Sequence, residues 1–324
     1  MTETDGLVFA YRLDGNGGGT EIAWEEVRAW KPGDDPVWAH LDYASLQTQE
    51  WLMGDSGLDA VVAEALLEEE TRPRCVAAHG GLMLILRGVN LNPGADPEDM
   101  VSIRLWIEQG RVVSLRHRRV MAVQDLRQEL VSGDGPANAG DFLVELVGKL
   151  MDRMGPVLAE IDDTVDGLED EVLTAENYPL RAKIGALRRL AIAMRRYLAP
   201  QRDVLSRLQG EKVGWLTDLQ RNRLREIGDR VIRYVEDLDS ARDRAAVTQD
   251  ELNSRLSEQM NKTMYVLAIV AAIFMPLGLL TGLLGINVGG IPGTENPWAF
   301  LTVCVLLLGI AILQSLLFRR MRWL

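Results

Sequence analysis

At 324 residues, with 47% apolar and 25% charged side chains, the chain carries enough hydrophobic material for a sizeable core, which excludes a disordered or fibrous protein. Its formal charge of −12 repels nucleic acid and attracts cations, and its 2 cysteines, Cys75 and Cys304, cannot build a disulfide framework. The acid is unevenly placed: the segment before Thr263 holds 32 basic and 46 acidic residues, a balance of −14.

Residues 1–140 alternate short apolar runs with helical stretches and read as an α/β domain. The runs are LVFAYRL from Leu7, VWAHL from Val37, LMLILRGV from Leu82, VSIRLWIE from Val101 and RVVSL from Arg111, with Gln109-Gly110 suited to a hairpin turn between the last two. Gly15–Gly19 is a loop. It lacks the Lys-Ser/Thr ending of a P-loop and no convincing helix follows, so no nucleotide is expected as a partner. The N-terminal MTETDG places acids where a secretory signal needs basic residues, so no signal peptide is expected and this domain should stay in the cytoplasm.

Residues 141–212 read as a helical hairpin, one helix running from Asp141 to about Asn177 and the next from Pro179, suited to a first turn, to about Gln209. Residues 213–262 form a stalk whose helix begins near Trp215 and meets no proline until Pro276. Roughly 70 helical residues at 1.5 Å each make a rod of about 100 Å, so stalk and first membrane span are expected to be one helix. Within it Ile227, Val231, Tyr234, Leu238, Ala241, Ala245, Thr248 and Leu252 follow the a/d steps of a heptad seam. Such a seam serves either self-association of the stalk or packing on the hairpin, because one apolar stripe does not name its partner.

Two charge-free runs, 263–284 and 298–318, match the thickness of a bilayer core. Arg255 and Lys262 precede the first, while Arg319, Arg320 and Arg322 of the tail 319–324 follow the second; the loop 285–297 between them has no basic residue. Both termini are therefore expected in the cytoplasm, with Trp298 and Trp323 at interfacial positions. The stalk face continues into the first span as Asn261, Met264, Leu267 or Ala268, Ala271, Met275, Gly278 and Gly282. This stripe of Met and small residues suits either a close helix contact or the lining of a pore.

FMPLGLLTGLLGIN, followed by a short Gly- and Pro-rich loop and a second span, resembles the CorA family of divalent-cation transporters. Where that family carries Gly-Met-Asn, this chain has Gly285, Ile286 and Asn287; Asn261, Met264, Met275 and Pro276 also match its pattern, as does the basic RRMRWL ending. The Gly-Ile-Asn variant, with Gly289-Gly290-Ile291-Pro292-Gly293 after it, looks most like the zinc-transporting ZntB branch. The resemblance implies an α+β membrane protein of a bacterial inner membrane. It would be a funnel-shaped homopentamer with cytoplasmic α/β domains, five first spans around a pore and five second spans against lipid. No cofactor is implied. The transported ion would be zinc, with magnesium, cobalt, nickel and cadmium as further candidates. Five copies of Asn287 would offer amide oxygens to a hydrated cation at the outer mouth, with Glu295 as an alternative ligand, and Met264, Leu267 and Met275 would form dewetting constrictions below. The ZntB branch is associated with proton coupling, yet neither span contains Asp, Glu, His, Lys or Arg to relay a proton.

Cys75, His79 and His117 do not make up the ligand set of a tetrahedral zinc site. The acidic clusters Glu68-Glu69-Glu70 and Asp162, Asp163, Asp166, Glu169, Asp170 and Glu171 suit solvated helix faces or cation binding between subunits. No nucleophile-base pair points to an enzyme. The rival readings are a magnesium or cobalt channel of the same family and a membrane-anchored coiled-coil sensor or scaffold.

Overall fold

Seven strands form one mixed sheet in the order β2-β1-β3-β7-β6-β5-β4. They are β1 (Leu7–Leu13), β2 (Gly19–Glu21), β3 (Val37–Asp42), β4 (Arg74–Ala78), β5 (Gly81–Gly88), β6 (Val101–Glu108) and β7 (Arg111–Arg116). This is a computed structural model, and it describes residues 6–69, 72–174, 179–286, 293 and 296–320. Only β3 and β7 pair in parallel; the other neighbours are antiparallel, and Glu108 opposite Arg111 closes the Gln109-Gly110 hairpin. The five apolar runs of the sequence are all strands, and β2 and β4 are additions at the two edges.

Because successive side chains on a strand point to opposite faces, each strand feeds two cores. On one face Ala39, Leu41, Met83, Ile85, Trp106, Val113 and Leu115 meet α1 (Trp24–Ala29), α2 (Leu46–Met53) and α3 (Ala60–Leu67) through Trp24, Trp51, Leu52, Val62 and Leu66. Asp59 caps α3 by accepting from the Val61 N–H at 2.8 Å. On the other face Trp38 meets Phe142 edge to face at 4.9 Å. Phe142 belongs to α5 (Ala139–Asp152), which follows α4 (Met121–Ser132). Helices thus cover both faces, the layering expected of the α/β domain.

The helix expected from Asp141 to Asn177 is two helices, α5 and α6 (Gly155–Thr174), and Asn177 itself lies outside the described residues. Pro156 explains the break. It has no N–H for the Asp152 carbonyl and its ring crowds that turn, so the chain closes α5 with Met154 N–H to Met151 O at 3.1 Å and starts afresh. α7 (Pro179–Gly210) continues through Pro200, and α8 (Asp218–Leu284) spans 67 residues.

The described chain forms two compact units, Met1–Gln249 and Asp250–Leu324. In the first, the heptad stripe of α8 is already used: Val231 is 0%, Leu238 1% and Ala241 3% exposed within a single chain. Tyr234 donates to the Met151 carbonyl at 3.4 Å, Arg230 pairs with Asp152 at 2.8 Å, Arg195 with Asp239 at 2.6 Å, and Arg188 donates to Gln249 at 3.0 Å. Over Val231–Thr248 the seam therefore packs on the chain's own α5, α6 and α7. In the second unit the end of α8 and α9 (Ala299–Arg320) each carry a segment long and apolar enough to cross a bilayer.

Candidate cation pathway

The stripe Asn261, Met264, Leu267, Ala271, Met275, Gly278 and Gly282 lies at three- and four-residue steps along α8, which places these residues on one face of the helix. All are exposed in the single chain, Met264 by 61%, Leu267 by 68% and Met275 by 73%. A helix that turns large apolar groups outward over this length needs lipid or further protein around it. The half-buried residues of this segment, Ile269, Ala272, Ile273, Leu277 and Leu280, fall on a different face from the stripe. On α9 the half-buried residues are Ala299, Val303, Leu307, Ile310, Ala311, Gln314 and Phe318.

Two local devices shape the C-terminal half of the first span. Pro276, inside α8, supplies no N–H to the Ala272 carbonyl and leaves a weak point in the hydrogen-bond ladder one turn above Ile273. At the other end, the Gly285 N–H donates to the carbonyls of Thr281, at 2.9 Å, and Gly282, at 3.2 Å, which closes the helix. The Thr281 hydroxyl turns back to the Leu277 and Gly278 carbonyls at 3.0 and 3.1 Å. A Cβ on Gly285 would stand 2.9 Å from the Thr281 carbonyl oxygen, so the turn requires glycine. Ile286 follows, 49% exposed, whereas Asn287 and Glu295 lie outside the described residues.

Five carboxylates of the acidic clusters, Glu68, Asp162, Asp166, Glu169 and Glu171, are held by basic residues of the same chain. Arg244 on α8 reaches three carboxylates of α6: Glu169 through both oxygens at 2.9 and 2.7 Å, Asp162 at 3.0 Å, and Asp166. Hydrogen bonds to Glu169 and Asp166 push the Arg244 pKa further up. Lys183 pairs with Glu171 at 3.0 Å and Arg74 with Glu68 at 2.6 Å. Among the described residues no group of His, Cys, Asp and Glu is arranged to hold a metal ion. Cys75 is buried, and burial pushes its thiol up to about 12; His79 is exposed beside Asp59, and His117 packs on Tyr43.

Two titratable groups, one buried and one half-buried, carry large pKa shifts that the sequence did not signal as a site. His40, fully enclosed, bonds through Nδ1 to the Ser114 hydroxyl at 2.8 Å, and desolvation lowers its pKa to about 3. Glu145 on α5 is pushed up to about 7, chiefly by burial and then by Glu129 and Asp141. The signal for His40 was its place among apolar neighbours in VWAHL; Glu145 carried none.

The sequence matches the profile of the family described as CorA-like Mg2+ transporter protein over residues 33–320. It is 40% identical over 322 residues to the divalent cation transporter CmaX of Pseudomonas aeruginosa, covering 98% of this chain and 97% of that one. It is 38% identical over 317 residues to the zinc transport protein ZntB of Yersinia enterocolitica, covering 98% and 96%. The solved structure of full-length CmaX superposes with a TM-score of 0.86 at 39% identity, covering 99% of both chains. The chain belongs to the CorA family of divalent-cation transporters.

Proposed function

We propose that this protein carries zinc across a bacterial inner membrane as one of five identical subunits, with both termini in the cytoplasm. The first span of each subunit lines the path, and five Asn287 side chains hold the hydrated ion at the outer mouth. Transport, rather than catalysis or scaffolding, is the activity. The observation that carries this reading is the continuous exposed stripe from Asn261 to Gly282 in a chain of this family. The stripe is free of charge and small enough at Gly278 and Gly282 for helices to approach closely. A dication kept partly hydrated passes such a wall without ligands that would trap it, and Met264, Leu267 and Met275 close the path by dewetting when they converge.

Zinc is favoured by the Gly285-Ile286-Asn287 sequence and by the likeness to a zinc transport protein over nearly the whole chain. Magnesium or cobalt is the second reading, favoured by the family's description. Zinc and magnesium influx into liposomes containing the purified protein, each measured alone and in competition, decides between them. Zinc uptake that excess magnesium leaves intact supports the first reading; magnesium uptake blocked only weakly by zinc supports the second.

A further inference from the structure

At one end of the sheet the strand alternation that builds the α1–α3 core runs on into a cluster of guanidiniums. Met83 and Ile85 of β5 and Trp106 of β6 are core residues, and the next positions on that face are Arg87, Arg104 and Ser102. Leu41 and Leu115 are core residues too, and two residues beyond them stand Tyr43 and His117. With Arg118, these side chains line a cleft of about 140 Å3. That is roughly ten times the room one water needs.

Arg104 is the unusual member. It is 2% exposed, lies 4.0 Å over the Tyr43 ring, and donates to the Leu66 carbonyl at 2.7 Å and the Glu69 carbonyl at 3.3 Å. Its Nε is buried with no acceptor, and none of the described carboxylates forms an ion pair with it. A charge taken from water needs a partner of opposite sign or a full set of hydrogen bonds; Arg104 has two backbone carbonyls, the Tyr43 side chain and the more distant charge of Glu68, and this still leaves its buried Nε without an acceptor. Arg87 is also half-buried, stacked 4.5 Å over Tyr197 and bonded to the Met100 carbonyl at 2.7 Å. Desolvation lowers the pKa of both guanidiniums, and Arg104 feels the charge of Arg87 while Arg87 feels that of Arg118. Two carboxylates also line the cleft. Asp99 is taken up by Arg118, and Glu69 gives Arg104 its carbonyl.

We propose that this cleft binds a compact oxyanion of the phosphate or sulfate type, held by Arg87, Arg104 and Arg118 with the Ser102 hydroxyl as a further donor. Guanidiniums present paired N–H groups that match such an ion in two-pronged geometry, and an anion here relieves the mutual repulsion of the cluster. A divalent cation is excluded from the cleft by the same three charges, so the site is separate from the transport path and does not rest on the reading of that path.

Binding of inorganic phosphate and of sulfate to the full-length protein in detergent tests this, by calorimetry and by the shift in melting temperature, with chloride matching the ionic strength. One anion should bind per chain, saturably, raising the melting temperature as ligand exceeds its Kd. Arg118→Gln, at a half-exposed position where the fold should persist, should weaken binding at least tenfold, and Arg87→Gln likewise. Lys183→Gln, on α7, should leave it unchanged. Absence of saturable binding by the folded protein up to about 10 mM anion, the millimolar end of specific affinity, would overturn the proposal. So would equal affinity in Arg118→Gln and Arg87→Gln, or an effect that chloride reproduces at the same ionic strength.

Discussion

Arg244 of α8 grips Glu169 of α6 through both carboxylate oxygens, Nε to Oε1 at 2.9 Å and a terminal nitrogen to Oε2 at 2.7 Å. The same guanidinium holds Asp162 and Asp166, so one residue ties three carboxylates of α6 to the long helix. Arg244→Ala leaves three acids facing one another. Solvent screens an arrangement this exposed, so the loss should be about 1 kcal/mol, the upper range for surface pairs. Denaturant melts at low and high salt measure it: the gap between variant and parent should shrink as ionic strength rises.

Glu145 and His40 make stability depend on pH in opposite senses. The Glu145 pKa is raised from 4.5 to about 7 in the folded protein, so its contribution is fully present below about pH 4.5 and is lost as pH rises through 7. The His40 pKa is lowered from 6.5 to about 3, so its contribution is present above 6.5 and lost as pH falls toward 3. Glu145→Gln should therefore melt higher than the parent at pH 8 and nearly level with it at pH 5. After discounting for partial exposure, the difference at pH 8 is about 1 kcal/mol. Melting temperatures of the two proteins across that range check the sign.

Gly285→Ala tests the turn that ends the first span. The added methyl meets the Thr281 carbonyl oxygen at 2.9 Å, and neither the helix end nor the carbonyl can retreat without breaking the bonds that Gly285 makes. Zinc uptake should fall severalfold while the unit Met1–Gln249 melts as before. Uptake and melting are measured on the same preparation.

Met264→Ser and Met275→Ser should each raise ion leak in the closed state, because a hydroxyl wets a constriction that apolar side chains keep dry. Leu308→Ala, at a position on α9 that is 63% exposed and off the half-buried stripe, should change flux little. Leu307 is a poorer control, since it falls on that stripe. Unchanged leak in both methionine variants would remove this face from the path.

The strands and spans were legible because period and length mark them: VSIRLWIE and RVVSL alternate around Gln109-Gly110, and 263–284 carries no charge. The break before Pro156 was missed because the apolar rhythm of α5 and α6 continues across it, although the Gly155-Pro156 pair was its signal. The seam of α8 showed its period but not its partner; only burial of Val231 and Leu238 within one chain assigns it to α5–α7. Arg244 could not be matched to Asp162 and Glu169 from the sequence, because long-range ion pairs leave no local pattern. Arg87 on β5, Arg104 on β6 and His117 just beyond the end of β7 meet only through sheet register. At the end of α8, Gly285 was singled out by resemblance, and its contact with Thr281 supplies the physical reason for glycine there.

If Asn287 forms the outer cation site, as proposed, zinc influx into liposomes depends on it, and assembled Asn287→Leu protein is the variant that shows this. The substitution keeps a side chain of similar size while replacing amide oxygens with apolar groups where a hydrated dication must pause. Assembly is verified first by mass in gentle detergent, where the parent and the variant should both be pentamers. Zinc influx through Asn287→Leu pentamers should fall to the level of protein-free liposomes. Influx at the parental rate through intact pentamers would contradict it and move the outer site to Glu295.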